Sequence, residues 1–354
     1  MQAVVLAGGL GTRLQPLTLD TPKPLVLLHG RPILAHVLAR LAEAGVERVA
    51  LATGHRGADF AALAPPAGVE LLVATEAEPL GTGGAIANAA ARLDPSGPLL
   101  VLNGDLLSDH DLRAQLALHE RRDAAATLHV RRVDDARAFG LVRTGEQESI
   151  TGFAEKPASP VPLPGLINAG TYVLSAALVA GIARGRACSF ERELLPAWLG
   201  SARVVAHVEQ SYGRDLGTPA GYLQASADLV AGVVTSPALP RPLPGGEAVI
   251  EPDAHVHPQA SVLGGSYVGT GALVEARAVV RASVLMPGAH VGAGAHADRS
   301  VLGANSRLEP GVSLVEVVLG ERALIGAGNQ LAGCRVWPGV HLAATSIRLE
   351  PLLP

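Results

Sequence analysis

Of the 28 lysines and arginines in this chain, only Lys23 and Lys156 are lysines, and each stands directly before a proline. A composition that writes positive charge as arginine almost everywhere keeps lysine where a compact ammonium on a flexible stem is needed. A planar guanidinium fork is not interchangeable with it. The chemistry that asks for such groups is the binding of phosphate oxygens. Lys23 lies in Thr21-Pro22-Lys23-Pro24, shortly after Leu6-Ala7-Gly8-Gly9-Leu10-Gly11-Thr12-Arg13. Glycines after an apolar run let backbone N–H groups approach an anion closely, and Arg13 adds a fork of donors. The run is not a Walker loop, because no Gly-Lys-Ser/Thr follows. It is not a dinucleotide fingerprint either, because Gly9-x-Gly11-x-x-Leu14 lacks the third glycine. Lys156 lies in Glu155-Lys156-Pro157.

The elements that must hold these residues alternate. Ala3–Ala7, Val46–Ala52, Val69–Val73 and Leu99–Leu102 are short apolar runs, the pattern of buried parallel strands. Ile33–Ala44 and Thr82–Leu93 have helical spacing, and Gly45 stops the first. Strand-then-helix repetition over residues 1–232 predicts a doubly wound, mainly parallel α/β sheet, Rossmann-like, with ligands beyond the carboxyl ends of the strands. Residues 233–247 include SPALPRPLPGG, with four prolines and two glycines, and predict an extended linker. From 248 to 354 the period becomes six: Ile250, Val256, Val262, Val268, Val274, Val280 and Met286 follow at that interval. Val291 and Ala297 continue after a one-residue slip, and Leu308/Leu314 and Ile325/Leu331 resume it. Hexads of this kind predict a left-handed parallel β-helix with roughly eighteen residues per coil.

At 354 residues the chain is long enough for two domains, and 48% hydrophobic residues supply their cores. A net charge of −4 gives no pull toward nucleic acid. Cys188 and Cys334 have no metal-ligand spacing and fit a reducing cytoplasm. The chain opens without a basic leader, and Ala169–Ala183 is too short and interrupted to span a membrane.

GGLGTRLQPLT followed by TPKPL resembles the signature of the sugar-1-phosphate nucleotidylyltransferases, which join a nucleoside triphosphate to a sugar 1-phosphate and release pyrophosphate. Further blocks match in order: EPLGTGGA (78–85), NGD (103–105), FGLV (139–142), FAEKP (153–157), INAGTY (167–172) and DLGTP (215–219). The resemblance implies that Arg13, Lys23, Asp105, Lys156 and Asp215 are catalytic. Leu6, Ala7, Gly8, Gly9, Gly11, Thr12, Glu76, Gly81 and Thr82 would join Arg13, Lys23 and Asp105 around the nucleotide. Gly140, Glu155, Lys156, Asn168 and Gly170 would bind the sugar phosphate. Asp105 and Asp215 would hold Mg²⁺, a hard cation suited to carboxylate and phosphate oxygens. The last block departs from the usual pattern, since its aromatic, Tyr212, stands one place early.

Glu76 stands where uridylyl and thymidylyl relatives often carry glutamine. A carboxylate only accepts hydrogen bonds, and guanine offers N1–H and an exocyclic amine side by side. EPLGTGGA is most similar to guanylyltransferases for mannose 1-phosphate or heptose 1-phosphate. GTP and mannose 1-phosphate are therefore the expected substrates, with glucose-1-phosphate uridylyl or thymidylyl transfer as alternatives. Two other classes compete. One is a second, acyl-transfer activity using His255, His257, His290, His296 or His341 of the hexad region. The other is a non-catalytic regulatory subunit that binds nucleotide sugars. The open end of a β-helix exposes strand edges that need a cover, so homo-oligomerisation through that domain is expected, with the apolar terminus Leu349, Pro351, Leu352, Leu353 and Pro354 as a docking segment. Replacing Lys156→Arg keeps the charge but not the ammonium. Its turnover, measured by pyrophosphate release, is expected to fall by about tenfold, the equivalent of one charge-assisted hydrogen bond.

Overall fold

The apolar run after Met1 forms strand β1 (Gln2–Leu6), with Ala3, Val4 and Val5 fully buried. The computed structural model to which it belongs describes residues 1–93, 95–240 and 246–347. The linker residues 241–245 and the apolar terminus from Leu349 onward lie outside the described residues. Packing divides the chain into two compact units: residues 1–9 with 37–213, and residues 10–36 with 214–354.

The first unit is built on one mixed sheet. After β1 come β2 (Arg48–Thr53), β3 (Glu70–Thr75), β4 (Leu99–Asn103), β5 (Ala126–Val133), β6 (Gly140–Thr144), β7 (Ile150–Glu155), β8 (Gly165–Leu174) and β9 (Val204–Val208). Strand order runs β7-β6-β8-β4-β1-β2-β3, with β5 between β8 and β9. Strands β4, β1, β2 and β3 are parallel neighbours, as their continuous apolar sequences require. The long β8 runs antiparallel to β4, β5 and β6. The strands expected from the sequence all form, within one or two residues of the bounds read there. Helix α1 (Ile33–Glu43) continues into this unit beyond His36. Helix α2 (Gly81–Ala90) packs Ile86, Ala87 and Ala90 into a core shared with Val4, Ala50, Val101, Leu128, Tyr172 and Phe190. No helix of the described residues is long and apolar enough to cross a membrane.

The second unit contains three stacked parallel sheets, the faces of a β-helix, and helix α3 (Pro219–Val230) lies against it. A Cβ on Gly265 would sit 2.6 Å from Ala227 Cβ, so the helix backbone and the second coil approach as closely as glycine allows. The arrangement is the one expected of hexads, but the coil length needs correcting. Val256 pairs with Val274, eighteen residues on; Val274 then pairs with Val291 and Val291 with Leu308, each seventeen residues on. One side of each later coil is therefore a residue shorter. This is the origin of the one-residue slip, and it makes Leu285, not Met286, the inward residue after Val280: Leu285 is wholly buried and paired with Val268. Ser266, Ser283 and Ser300 stack at the same step. Each hydroxyl accepts an N–H from the next coil, Ser283, Ser300 and Val317 in turn, at 3.0–3.1 Å. Among the hexad histidines, His255, His257, His296 and His341 are exposed, and His290 lies 2.7 Å from Glu275. Ser236, in the stretch read as linker, is buried and bonded to His36 Nδ1 at 2.7 Å.

Candidate active site

Leu6 ends β1, and Ala7 still donates its N–H to Ala52 at 2.8 Å. Gly8 and Gly9 then leave the strand as exposed backbone. A Cβ on Gly9 would meet nothing within 4 Å, so open space lies beside the backbone at that point. In the second unit, Gly11 takes φ +65°, and a side chain there would strike Lys23 Cβ at 3.0 Å. The Gly11 carbonyl accepts from Leu14 N–H at 2.9 Å and from the Thr18 hydroxyl at 2.8 Å. Thr12–Leu14 thereby closes as a 3₁₀ turn, and the Arg13 side chain stands 68% exposed.

Lys23 opens the next short turn, between Pro22 and Pro24. Its side chain is only 6% exposed, and Nζ lies 3.3 Å from Asp215 Oδ1. A buried ammonium demands an anion, and Asp215 supplies it. The same carboxylate faces Arg13 Nη2 at 3.6 Å through Oδ2 and accepts the Gly217 N–H at 2.5 Å through Oδ1. These charged tips leave no room between them. A Cβ on Gly217 would lie 2.6 Å from Asp215 Oδ1, 2.8 Å from Arg13 Nη2 and 2.9 Å from Lys23 Nζ.

The first unit holds the other residues. Gly140 opens β6 directly opposite Glu155 at the end of β7. A Cβ on Gly140 would meet Phe153 at 2.4 Å and Glu155 Oε2 at 2.9 Å. Burial pushes the Glu155 carboxyl above its ordinary range, the Glu191 carboxylate adds to this, and Lys156 opposes it. Lys156 Nζ stands 4.0 Å from Glu155 Oε1 and its side chain is 62% exposed. Its backbone has φ +48°, uncommon for a residue with a side chain, and is tied to Phe139 O at 3.0 Å. Asn168 is fixed on both sides of its amide: Nδ2 donates to the Tyr172 hydroxyl at 2.9 Å, and Oδ1 accepts from Gly170 N–H at 3.1 Å. A Cβ on Gly170 would come within 2.6 Å of Asn103 Nδ2. The Asn103-Gly104-Asp105 motif, which carries the half-buried Asp105 beyond β4, therefore abuts the Asn168–Gly170 bend.

Glu76 follows β3 and is 8% exposed, with Oε2 accepting the Leu80 N–H at 3.0 Å. Burial raises its carboxyl and the Leu80 bond opposes the rise. Gly81 begins α2, where a Cβ would lie 2.6 Å from Cys188 O. The Thr82 hydroxyl donates to Glu191 Oε2 at 2.7 Å and accepts from Phe190 N–H at 2.8 Å. Glu191 is thus held close enough to shift both Glu155 and the Tyr172 phenol, whose burial already pushes it far up. Nothing in Phe190-Glu191-Arg192-Glu193 marked Glu191 beforehand; it reads as an ordinary charged helical stretch. Among the described residues no group of three or more His, Cys, Asp or Glu gathers to hold a metal ion.

The profile of the Nucleotidyl transferase family matches residues 2–232. The chain belongs to the nucleotidyl transferase family. A second profile, the GMPPB C-terminal domain, matches residues 245–349. The mannose-1-phosphate guanylyltransferase of Mycobacterium tuberculosis is 44% identical over 277 residues, 77% of this chain and 76% of that protein. The mannose-1-phosphate guanylyltransferase catalytic subunit beta of Drosophila pseudoobscura pseudoobscura is 36% identical, over 63% of this chain and 60% of that protein. Among solved structures, HddC from Yersinia pseudotuberculosis complexed with GMP-PN superposes with a TM-score of 0.54 at 31% identity, covering 63% of this chain and 97% of that one.

In a nucleotidyl transferase the crowding at Gly217 has a direct consequence. Gly217→Ala is expected to push Asp215, Arg13 or Lys23 out of place by about 1 Å, a displacement that costs about a hundredfold in turnover. Pyrophosphate release measures it, with thermal unfolding as the control for folding. Wild-type turnover in the variant would show that the cluster tolerates the added methyl group.

Proposed function

We propose that this nucleotidyl transferase is a mannose-1-phosphate guanylyltransferase. A phosphate oxygen of mannose 1-phosphate attacks the α-phosphorus of GTP in line. The new O–P bond forms as the bond to the β-phosphate oxygen breaks, giving GDP-mannose and pyrophosphate. The observation that carries this reading is the convergence of Arg13, Lys23 and Asp215 around Gly217, taken with the 44% identity to a protein named for that reaction. Two polyanions must meet, so catalysis is mostly placement and charge neutralisation. Orientation alone supplies about 7–11 kcal/mol of barrier lowering.

Arg13 and Lys23 bind the triphosphate, with the turn at Gly8, Gly9, Gly11 and Thr12 offering backbone donors. The near-complete burial of Lys23 strengthens its charge toward a phosphate. Lys156, exposed and free to swing, binds the sugar phosphate. Glu155 and Asn168, set by Gly140 and Gly170, accept and donate to sugar hydroxyls. Glu76, Gly81 and Thr82 shape the base side. The guanine assignment is supported by the buried carboxylate of Glu76 and by a structural relative solved with GMP-PN. Asp105 and Asp215 would hold Mg²⁺. The donor set fits: two carboxylates offer hard oxygens, and Mg²⁺ is ordinarily held by one or two of these together with phosphates and water. Bound there, the ion would neutralise charge on the phosphates. We propose also that the enzyme is cytoplasmic and a homo-oligomer through its β-helix.

The assignment is tested by pyrophosphate release across GTP, UTP, dTTP and ATP, each with mannose, glucose and heptose 1-phosphates. GTP with mannose 1-phosphate is expected to give the highest kcat/KM; a higher value for any other pair would reassign the base or the sugar. Sedimentation velocity of the full chain is expected to give a species heavier than one chain, and a monomer at micromolar concentration would overturn the oligomer.

A further inference from the structure

Residues 10–36, which carry Gly11, Thr12, Arg13 and Lys23, pack in the same compact unit as the β-helix. A contact from the coils reaches the turn itself. Arg335 begins a short strand of a late coil, Arg335–Val336. Val336 is buried in the coil interior, so strand alternation turns Arg335 outward. Its Nη2 donates to the backbone carbonyl of Arg13 at 2.8 Å. Arg13 is the residue whose guanidinium faces Asp215 at 3.6 Å.

The rest of the segment is secured differently. At its far end the Tyr222 hydroxyl donates to the Leu27 carbonyl, His29 stacks on Tyr267 with ring centres 4.5 Å apart, and His36 Nε2 meets Leu28 O at 3.0 Å. Burial holds His29 and His36 neutral down to about 4, so these contacts keep their form across the neutral range. In the middle, apolar packing is interrupted. A cavity of about 150 Å³ separates Pro16, Leu17 and Leu25 from Met286, Gly303 and Pro338 of the coils. The turn itself is anchored by the fully buried Leu14, and the Arg335 bond adds a directed restraint beside that gap.

We infer that Arg335 is a positioning residue for nucleotidyl transfer: through the Arg13 carbonyl, the β-helix holds the phosphate turn where Arg13 meets the triphosphate. The inference rests on the nucleotidyl-transfer reading of Arg13, Lys23 and Asp215. A guanidinium-to-carbonyl bond is charge-assisted, and its loss frees the turn without removing any group that touches substrate. The affected substrate is therefore the triphosphate alone.

The test is steady-state kinetics of Arg335→Ala, Arg335→Lys and Arg335→Gln, using the triphosphate that the wild type turns over fastest, so that a wrong base does not disturb the result. Arg335→Ala is expected to raise the triphosphate KM by about tenfold, the equivalent of one such bond. The sugar-phosphate KM stays within about twofold, because no part of that subsite is touched. Arg335→Lys recovers most of the loss, since a single N–H to a carbonyl needs no fork, and Arg335→Gln recovers less. An unchanged triphosphate KM and kcat in Arg335→Ala overturns the inference. So does an equal rise in both KM values with a lowered melting temperature, which is the mark of a coil-stabilising residue only. Should Arg335→Ala fail to fold, the ordering of wild type, lysine and glutamine variants decides in the same way. If the wild type transfers no nucleotidyl group, the function reading fails separately, and calorimetric triphosphate affinity across the same variants still reads the role of Arg335.

Discussion

Burying an ammonium without a counter-charge is prohibitively costly, and Lys23 is almost entirely buried. Asp215 resolves this, and in doing so it fixes where Lys23, Arg13 and the Gly217 amide sit. Its carboxylate has two faces. One is occupied by Lys23 and the Gly217 amide; the other is turned toward Arg13. A single anion thus holds two cations within reach of each other, although their mutual repulsion would otherwise spread them. The absence of a side chain at Gly217 permits the approach. On the proposed reading, the cations are gathered before substrate arrives, so little reorganisation remains for the reaction itself.

The cations are also mounted on something stiff. Four successive coils of the β-helix are braced along one edge by Ser266, Ser283 and Ser300, whose hydroxyls accept N–H groups from the next coil. Its interior is a column of fully buried aliphatics, among them Val274, Leu285, Val291, Leu302, Leu308 and Leu319. Such a column has little freedom to breathe. A loop of glycines is by nature mobile, and placing Gly11 and Arg13 in the same compact unit as this column opposes that mobility. On the proposed reading, the hexad domain is a mount for part of the chemistry, since Arg13 and Lys23 pack in its unit.

Much of this was legible in the sequence, and the gaps have physical causes. The parallel strands were readable because burial on both faces writes continuous apolar runs, and the turn after β1 was readable because its glycines can leave a strand where other residues cannot. The hexads revealed the β-helix but misplaced one inward residue. A seventeen-residue coil drops a position at every third side, and an apolar Met286 beside Leu285 hid the drop. Glu191 escaped notice because its importance comes from a partner more than a hundred positions away, Thr82. Arg335 escaped for the same reason. Its partner is a backbone carbonyl, which has no sequence signature at all. Contacts between a side chain and distant backbone are invisible to pattern, whereas contacts that constrain residue type, as at Gly217, leave a mark.

The two lysines show how composition and structure answer different questions. Both were kept in a chain that otherwise uses arginine, yet their surroundings are opposite. Around Lys23 the space is closed: its Nζ lies 2.9 Å from the point where a Cβ on Gly217 would stand. A guanidinium, broader by two nitrogens, would crowd that backbone and Asp215, so the space favours the compact ammonium. Lys156 is under no such constraint, with most of its side chain in solvent. On the proposed reading its retention comes from what the side chain does toward a sugar phosphate, and the difference from arginine is the manner of contact. An ammonium presents three donors about one freely turning point, where a fork demands one plane. A group that follows a phosphate whose oxygens change direction as a bond forms gains from the first property and loses by the second. The positive φ at Lys156 agrees with this, because it turns the residue out of the line of β7 and leaves the stem free to follow.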